Sequence, residues 1–282
     1  MMAWLPLGLN WGYLTLVQAL LVRALVARFW NEPYKAPLVR WGTRLHDRFL
    51  LPEFATADLH EVVDELNTWL AAHDPDAPRF DKSWFDAFLE FRFPRLGEVD
   101  IAGVHLEARQ AIEPWHVLGE EMALGGTARY VDSSVERLQV SAIGLVEGRH
   151  VLTCNGVPMP LTATGTPGEF VAGVRYRAWA PYSALHPTIG VHGPIVVDLV
   201  DTWNRRSLGG FTYHVVHPGG RAYEDHPVNA MSAEARRASR FHAGGHTAGP
   251  MDVDTVRAVD GSTGVEYPTT LDLRRFSPGH SS

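Results

Sequence analysis

Residues 151–160 read VLTCNGVPMP, and this stretch decides the fold class. Val151–Cys154 is a short run of strand-forming residues. Asn155-Gly156 is a dipeptide that two-residue type I′ hairpin turns favour, because both of its positions need positive φ. Pro158 and Pro160 lack the amide hydrogen of a central strand, so they place the second arm at a sheet edge. The stretch therefore predicts an antiparallel β-hairpin.

The hairpin belongs to a longer region in which glycine, proline and β-branched residues are frequent. Short strand-like runs separated by turn residues at close spacing are typical of an antiparallel sandwich or barrel. We expect such a domain over residues 98–243, followed by a loose tail over 244–282 with one candidate strand at Leu271–Leu273. The other candidate strands are Val104–Ile112, Thr127–Asp132, Glu136–Ile143, Phe170–Trp179, Ile195–Thr202 and Phe211–Val216.

Residues 1–93 have helical periodicity instead. Apolar residues recur at helical spacing over 14–30, and Asp58 with Glu61 forms a capping-box-like start before another apolar face. Leu38–Leu51 is a further candidate helix, which the sequence predicts to stop at the following proline. A helical segment followed by an antiparallel β domain places the chain in the α+β class.

Composition excludes several classes of protein. The 282 residues are 45% apolar and 20% charged, as in an ordinary soluble globular protein. The net charge of −7 argues against a broad electrostatic surface for nucleic acid or for an anionic membrane. The single cysteine, Cys154, excludes an internal disulfide and fits a reducing compartment. We therefore expect a cytoplasmic protein without nucleic-acid or membrane partners.

The apolar region over 14–30 bears on the membrane expectation. It carries Gln18, Arg23 and Arg28, whereas a spanning helix needs about 20 apolar residues with few charges. Residues 1–13 contain no basic residue, although a signal peptide would begin with a basic region. We interpret the region as a buried or packing helix.

The densest group of charged and aromatic residues lies at Glu113–Val140 and just upstream of it. Glu107 and Arg109 are two positions apart on a candidate strand, so their side chains share one face. Such a pair suits a metal–phosphate group or a carboxylate substrate, which arginine holds with two hydrogen bonds. With His116 and Glu120 they form the predicted catalytic set. The alternative is a solvated strand face beside a structural loop whose polar groups cap one another.

Two further candidates for chemistry are weaker. His214 and His217, with Asp198 or Asp201, would provide metal ligands, but a spacing of three on a strand points the two imidazoles to opposite faces. Cys154 ends a strand at a hairpin turn, whereas a nucleophilic cysteine usually opens a helix. Neither pattern favours a metal site or a cysteine nucleophile.

The sequence also permits a binding module instead of an enzyme. The aromatic residues Trp115, Trp179 and Trp203 would then form a platform for a peptide or a carbohydrate. The polar corner over residues 198–206 is better explained as a hydrogen-bonded connection between strands than as a ligand site. Acidic and arginine side chains that converge at a cleft shared with the helices would indicate a ligase. Exposed aromatic residues on the β domain without an acidic cleft would indicate the module.

Long, ordered stretches over roughly residues 14–246 resemble a known family. They are Glu113–Val140, Thr153–Gly156, Phe170–Trp179, Ser183–Thr188, Asp198–Gly210 and Tyr213–Arg221. In these stretches the chain resembles the large bacterial amidoligases, whose chains often begin with a transglutaminase-like domain. Members of that family are several times longer, so the chain resembles their C-terminal part.

The resemblance implies an ATP-dependent carboxylate–amine ligase with a glutamine-synthetase-like catalytic region. Mg²⁺ would bridge the phosphates, a carboxylate would be activated as an acyl phosphate, and an amine would attack it. The implied partners are upstream ligase and transglutaminase-like domains and a peptide or amino-acid substrate. Because residues 1–93 are helical, we expect most of the nucleotide site to lie upstream. The chain would then be a truncated, catalytically incomplete piece in which no residue is assigned to ATP or to a metal.

Overall fold

The computed structural model describes residues 7–116, 134–178, 191–219, 223, 225–244, 252 and 267–276, with backbone only for 7–11. The chain divides into two compact bodies. The helical body comprises Met1–Trp41 and Phe54–Pro94, and the β body comprises Gly42–Glu53 and Arg95–Ser282. The predicted α+β class is confirmed, because helices are followed by mostly antiparallel sheets.

The helical body contains α1 (Leu7–Asn31), α2 (Pro52–His73) and α3 (Asp86–Arg92). Its small core packs Val17 of α1 with Val63 of α2 and with Phe85, which precedes α3. Asn67 of α2 holds the chain before α3, because its amide donates to the Phe80 carbonyl and accepts from the Phe80 N–H, both at 2.8 Å. One polar side chain thus fixes the connection between two helices.

Helix α1 is covered on one side only. Val17 is buried, whereas Leu16, Val22 and Trp30 are exposed, Trp30 by 86%. Among the described helices, only α1 is long and apolar enough over Gly12–Asn31 to cross a membrane, judged by length and composition. A core helix or an N-terminal signal sequence would meet the same criterion. The sequence predicted a buried or packing helix, and α1 packs in this way only along its Val17 side.

Pro52 begins a helix instead of following one. Proline suits the first helical position because its missing N–H would be unpaired there. The residues before it form two 3₁₀ turns, Gly42–His46 and Arg48–Leu50, which belong to the β body. The predicted helix over Leu38–Leu51 is therefore wrong. Carbonyl groups of this segment accept hydrogen bonds from Arg137 of the β body.

The described strands of the β body are β1 (Arg95–Ile101), β2 (Val104–Ala111), β3 (Val135–Ile143), β4 (His150–Cys154), β5 (Val157–Pro158), β6 (Thr162–Ala163), β7 (Glu169–Arg177), β8 (Ile195–Asp201), β9 (Arg206–Tyr213), β10 (Phe241–Ala243) and β11 (Thr270–Asp272). One sheet has the order β1-β2-β3-β7-β11, with β6 beside β7, and the other has the order β10-β9-β8-β4-β5. The paired strands are antiparallel except for β7 and β11, which are parallel. Helix α4 (Ala230–Ala238) precedes β10.

The two sheets bury one apolar layer between them. The first sheet contributes Leu106, Leu138 and Val174, and the second contributes Leu199 and Phe211, all fully buried. Successive residues of a strand point to opposite faces of its sheet. The residues next to these in sequence therefore lie on the far faces of the sheets, and the far face of the first sheet, which we call the outer face, carries the candidate site.

The Asn-Gly hairpin forms as predicted. β4 and β5 pair antiparallel, and Asn155 and Gly156 have φ angles of 48° and 79°, as a type I′ turn requires. The two sheets also meet at β1 and β10, where Gly97 faces the ring of Phe241. A Cβ added to Gly97 would lie 2.2 Å from a ring atom, so only glycine fits there.

Candidate functional site

Polar side chains line the outer face across β2, β3 and β7. Glu107 and Arg109 come from β2, Arg137 and Gln139 from β3, and Arg175 from β7. The strand register pairs Arg109 with Gln139 and Arg137 with Arg175. Like charges directly opposite each other destabilise a sheet, so this face requires carboxylates that compensate its guanidinium groups.

Glu107 and Arg109 lie side by side, and they bind each other. Arg109 Nε lies 2.5 Å from Glu107 Oε1, and Arg109 Nη2 lies 3.2 Å from Glu107 Oε2. The two side chains are 18% and 24% exposed. A carboxylate has about four lone-pair sites, so Glu107 keeps acceptor capacity after the two-point contact with Arg109.

A cavity of about 290 Å³ opens on the outer face beside Glu107. Glu53, Glu107 and Glu169 bring carboxylates to its wall, and Ser141 and Thr164 bring hydroxyl groups. The Thr164 hydroxyl donates to Glu169 Oε2 at 3.2 Å, which orients that carboxylate. We call this space the acidic cavity. Its chemistry suits a cationic group that carries N–H donors.

At the other end of the outer face the charges are buried. Glu113 Oε1 accepts from Arg137 Nε at 2.7 Å and from Arg175 Nε at 2.8 Å. The three side chains are 5%, 0% and 8% exposed. Glu113 thus supplies the negative charge that the facing pair Arg137 and Arg175 lacks. We call this group the buried charge network.

The segment Gly42–Glu53 covers the buried charge network, and we call it the strap. Arg137 Nη2 and Nη1 donate to the carbonyl groups of His46-Asp47 at 2.7 and 3.1 Å. Leu51 of the strap is fully buried and packs onto Gly173 of β7, where an added Cβ would lie 2.8 Å from Leu51 Cδ2. The strap is therefore held by the hydrogen bonds of Arg137 and by the close packing of Leu51 on Gly173.

The two arginines of the network respond differently to their surroundings. Burial lowers the pKa of Arg137 and outweighs the opposing effect of Glu113. Burial acts in the same direction on Arg175, but the hydrogen bond and charge of Glu113 outweigh it and raise the pKa of Arg175. The ring of Tyr267 lies 4.8 Å from the Arg175 guanidinium, which stacks over it. Arginine stays protonated in proteins, so both residues serve as fixed cations.

Asp272 of β11 extends the network to the parallel strand. Arg274 Nε and Nη2 donate to its two oxygens at 2.9 and 2.7 Å, and Arg175 Nη1 lies 3.8 Å away. Burial raises the pKa of Asp272, but the hydrogen bonds and charge of Arg274 outweigh burial and hold this pKa below its ordinary value. Asp272 is therefore ionised in the folded protein at neutral pH.

His116 does not line the acidic cavity. It follows the end of β2, and its Nε2 lies 3.2 Å from Glu136 Oε2 of β3. Of the predicted catalytic set, the structure brings Glu107 and Arg109 together and places His116 in a separate contact. Glu120 lies outside the described residues.

Residues 12–274 match a known protein family, whose description is "Putative amidoligase enzyme (DUF2126)". The chain belongs to this amidoligase family. No curated protein and no solved structure matches the chain. The family match confirms the resemblance to amidoligases and supports a ligase-like function. It contains both Glu107 and Glu113, and hence both ends of the outer face.

Two other candidates in this amidoligase chain have structural roles. The Cys154 thiol is buried in the core, and burial raises its pKa, which does not suit a nucleophile. Asp201 accepts from the backbone N–H groups of Trp203 and Asn204 at 2.9 and 3.1 Å. The hydrogen bond from Arg149 holds the pKa of Asp201 below its ordinary range. The polar corner is thus a hydrogen-bonded turn between β8 and β9.

The late histidines do not assemble a metal site in the described part of the amidoligase chain, where no three His, Cys, Asp or Glu side chains converge as ligands. The rings of His214 and His242 meet edge to face at 5.1 Å, and His217 Nδ1 accepts from the Gly219 N–H at 2.9 Å. No such group of three ligands is present for Mg²⁺ among the described residues either. We therefore derive no step that passes through ATP or Mg²⁺.

Sequence reasoning missed most of the residues that give this face its chemistry. Arg137 and Arg175 sit at alternate positions of predicted strands, so charged residues at every second position of an apolar strand were the signal. Glu169 begins β7 one residue before the predicted start. Glu53 carried no such signal, because it reaches the acidic cavity from the strap, which periodicity had assigned to the helices.

Proposed function

We propose that the chain is the C-terminal part of an ATP-dependent carboxylate–amine ligase and that its acidic cavity holds the amine. The observation that carries the proposal is the gathering of Glu53, Glu107 and Glu169 around one cavity of about 290 Å³. A primary amine of the lysine type has a pKa of about 10.4, so it arrives as an ammonium ion. An anionic wall attracts that ion and offers acceptors for its three N–H groups.

Amide-bond formation requires more than attraction. The ammonium nitrogen has no free lone pair, so it must lose a proton before it can bond to the carboxyl carbon of the second substrate. A carboxylate within hydrogen-bond reach can bind the ammonium and then accept its proton. We assign this role to Glu107, because the two hydrogen bonds from Arg109 fix its orientation. Arg109 is then a positioning residue.

ATP and Mg²⁺ enter the proposal through the family resemblance. We propose that longer members carry the nucleotide site in the region that precedes the part matched by this chain. The chain alone should then release no phosphate from ATP. A peptide or amino-acid substrate, neighbouring ligase and transglutaminase-like domains, and a cytoplasmic location belong to the same proposal.

The alternative, a non-catalytic module for peptide or carbohydrate, depends on an aromatic platform. Trp203 is 69% exposed, but the guanidinium of Arg149 lies over its ring at 5.1 Å. The indole N–H of Trp115 donates to the Val135 carbonyl at 2.7 Å, which ties that ring to β3. Trp179 lies outside the described residues. The acidic cavity therefore favours the ligase over the module.

The test compares amine dependence in a full-length family member that carries Glu107→Gln or Arg109→Lys at the matching positions. We expect KM for the amine to rise about 10-fold to 100-fold in Glu107→Gln, the effect of losing one hydrogen bond to a charged group. Arg109→Lys keeps the charge but loses the two-point contact, so its effect should be smaller. The matched control is Glu65→Gln on α2, where Glu65 forms an exposed pair with Arg28 and does not line the cavity.

Binding of 1,4-diaminobutane to the chain itself provides a second readout, because the described residues that line the cavity all belong to the β body. Titration calorimetry should show weaker binding in Glu107→Gln and unchanged binding in Glu65→Gln. Unchanged amine dependence in both Glu107→Gln and Arg109→Lys would remove the cavity from the function. Steady phosphate release by the chain alone would contradict the assignment of the nucleotide site to the preceding region.

A further inference from the structure

A second cavity, of about 340 Å³, lies where β7 ends, β8 begins and β9 ends. Its wall includes the polar residues Arg177, His192 and His214 and the apolar residues Pro194 and Val216. No carboxylate lines the described part of this wall. We call it the arginine cavity, and its chemistry is the reverse of that of the acidic cavity.

Arg177 lines this cavity, and one of its donors is unpaired. Within the described part of the chain, its Nε is buried and has no hydrogen-bond partner. Buried polar groups in folded proteins are nearly always paired, and an unpaired one costs about 1–3 kcal/mol, more when it is charged. A planar guanidinium matches the two oxygens of a carboxylate. Because Arg177 is only partly buried and lines the cavity, an anion bound there would provide an acceptor for this guanidinium.

In the described part of the wall, Arg177 carries the full positive charge, because both histidine rings are neutral. His192 Nδ1 accepts from the backbone N–H of Arg177 at 2.9 Å, and its second hydrogen bond is to the backbone of Leu273. Burial and then the charge of Arg177 lower the pKa of His192. Burial and then the neighbouring His242 lower the pKa of His214. Both rings are therefore neutral near pH 7, and the His214 ring can offer an uncharged N–H.

The rest of the wall selects the kind of anion. Val191, Pro194, Val215 and Val216 are apolar, so they suit a ligand whose body is aliphatic. A phosphate ion is polar on all sides, so the oxygens that Arg177 does not bind would lose hydration against these apolar residues without gaining partners. We propose that the arginine cavity binds the carboxylate of a small aliphatic acid or of an apolar C-terminal peptide residue, with Arg177 as the anion-binding residue.

This proposal needs neither ATP nor the acidic cavity, so it stands apart from the proposed function. The experiment titrates the full chain with isobutyrate and follows the histidine ring resonances by NMR. We expect saturable shifts for His214 and for His192. Isobutyramide, which has the same shape without the charge, should bind at least about 10-fold more weakly, as should isobutyrate to Arg177→Gln.

Two further variants show whether weaker binding results from loss of the site or from unfolding of the protein. Arg236→Gln removes an arginine that stacks on Tyr223 at 4.2 Å and does not line the cavity, so isobutyrate affinity should stay unchanged. Val216→Phe fills the cavity without altering its charge and should abolish binding even if Arg177→Gln melts early. Circular dichroism and a melting curve establish that each variant is folded.

The outcomes decide the proposal. Equal affinity for isobutyrate and isobutyramide would overturn it, as would unchanged isobutyrate affinity in Arg177→Gln and Val216→Phe. Tighter binding of inorganic phosphate than of isobutyrate would overturn the assignment to a carboxylate. N-acetylvaline distinguishes the two carboxylate sources: tighter binding than isobutyrate identifies a peptide C-terminus, and weaker binding identifies a free acid.

Discussion

The two ends of the outer face use the same side chains in different surroundings. In the buried charge network, Glu113 lies between two arginines, and less than a tenth of each of the three side chains is exposed. At the acidic cavity, Glu107 binds Arg109, and the two are 18% and 24% exposed. The strap covers the first end and finishes at Glu53, on the wall of the cavity.

Burial decides how much such charge pairs contribute to the stability of the fold. Removing one partner from a buried pair leaves an uncompensated charge away from water, which is strongly destabilising. A pair near water is screened and adds little to stability. The covered end of the outer face is therefore structural, and the open end is the one that we propose as functional.

The largest effect should follow from Glu113→Gln. This change leaves Arg137 and Arg175 facing each other without their shared carboxylate, and it should lower the free energy of unfolding by about 3–5 kcal/mol. Urea unfolding of the chain measures it. Glu98→Gln, the same change in an exposed pair, should cost about 1 kcal/mol or less. Equal losses in the two variants would mean that the strap does not isolate the network from water.

The next effect concerns acid stability and Asp272. Its pKa in the folded protein lies below the ordinary 3.8, so its contribution is complete above that value and is lost as the pH falls through the folded-state pKa. Asp272→Asn should cost about 1.5–3 kcal/mol at neutral pH, the value of a hydrogen bond to a charged group. Below the ordinary pKa the two unfolding curves should converge. Parallel curves down to pH 2 would show that Asp272 is not held ionised by Arg274.

A somewhat smaller effect on stability should come from Gly173→Ala, which tests how the strap is held. The added methyl group would meet Thr270 Oγ1 at 2.6 Å and Leu51 Cδ2 at 2.8 Å. Overpacking of this kind costs about 1–3 kcal/mol, and faster amide hydrogen exchange at residues 46–51 would show that the strap has shifted. Gly12→Ala is the control, because nothing lies within 4 Å of its added Cβ. Unchanged exchange in Gly173→Ala would mean that Leu51 does not hold the strap.

Local sequence was a good guide to the β body. The Asn155-Gly156 turn, the strands around 104–111 and 135–143, and the α+β order all follow from patterns of period two and from turn chemistry. Strand β1 was missed, because its alternation is interrupted by Gly97, whose place depends on the distant ring of Phe241. A requirement set by a residue more than a hundred positions away leaves no local pattern.

The candidate site was only half accessible from sequence. The spacing of Glu107 and Arg109 predicts one strand face, and the structure places them on it. The same spacing cannot show that Glu53 and Glu169 join Glu107, since they come from the strap and from β7. Nor can the spacing show that Glu113 is buried and Glu107 is not, because this difference depends on the strap. The apolar residues of the strap have helical periodicity, so the sequence predicted a helix there.

The smallest effect on stability, and the sharpest test of the comparison, should come from Glu107→Gln. It is the same chemical change as Glu113→Gln on the same face of the same sheet. Because water reaches the Glu107–Arg109 pair, the free energy of unfolding should fall by about 1 kcal/mol or less, while binding of 1,4-diaminobutane weakens. A loss as large as that of Glu113→Gln would make the open end structural as well. Full stability together with full amine binding would leave Glu107 without either role, and the amine site would then have to lie elsewhere on the chain.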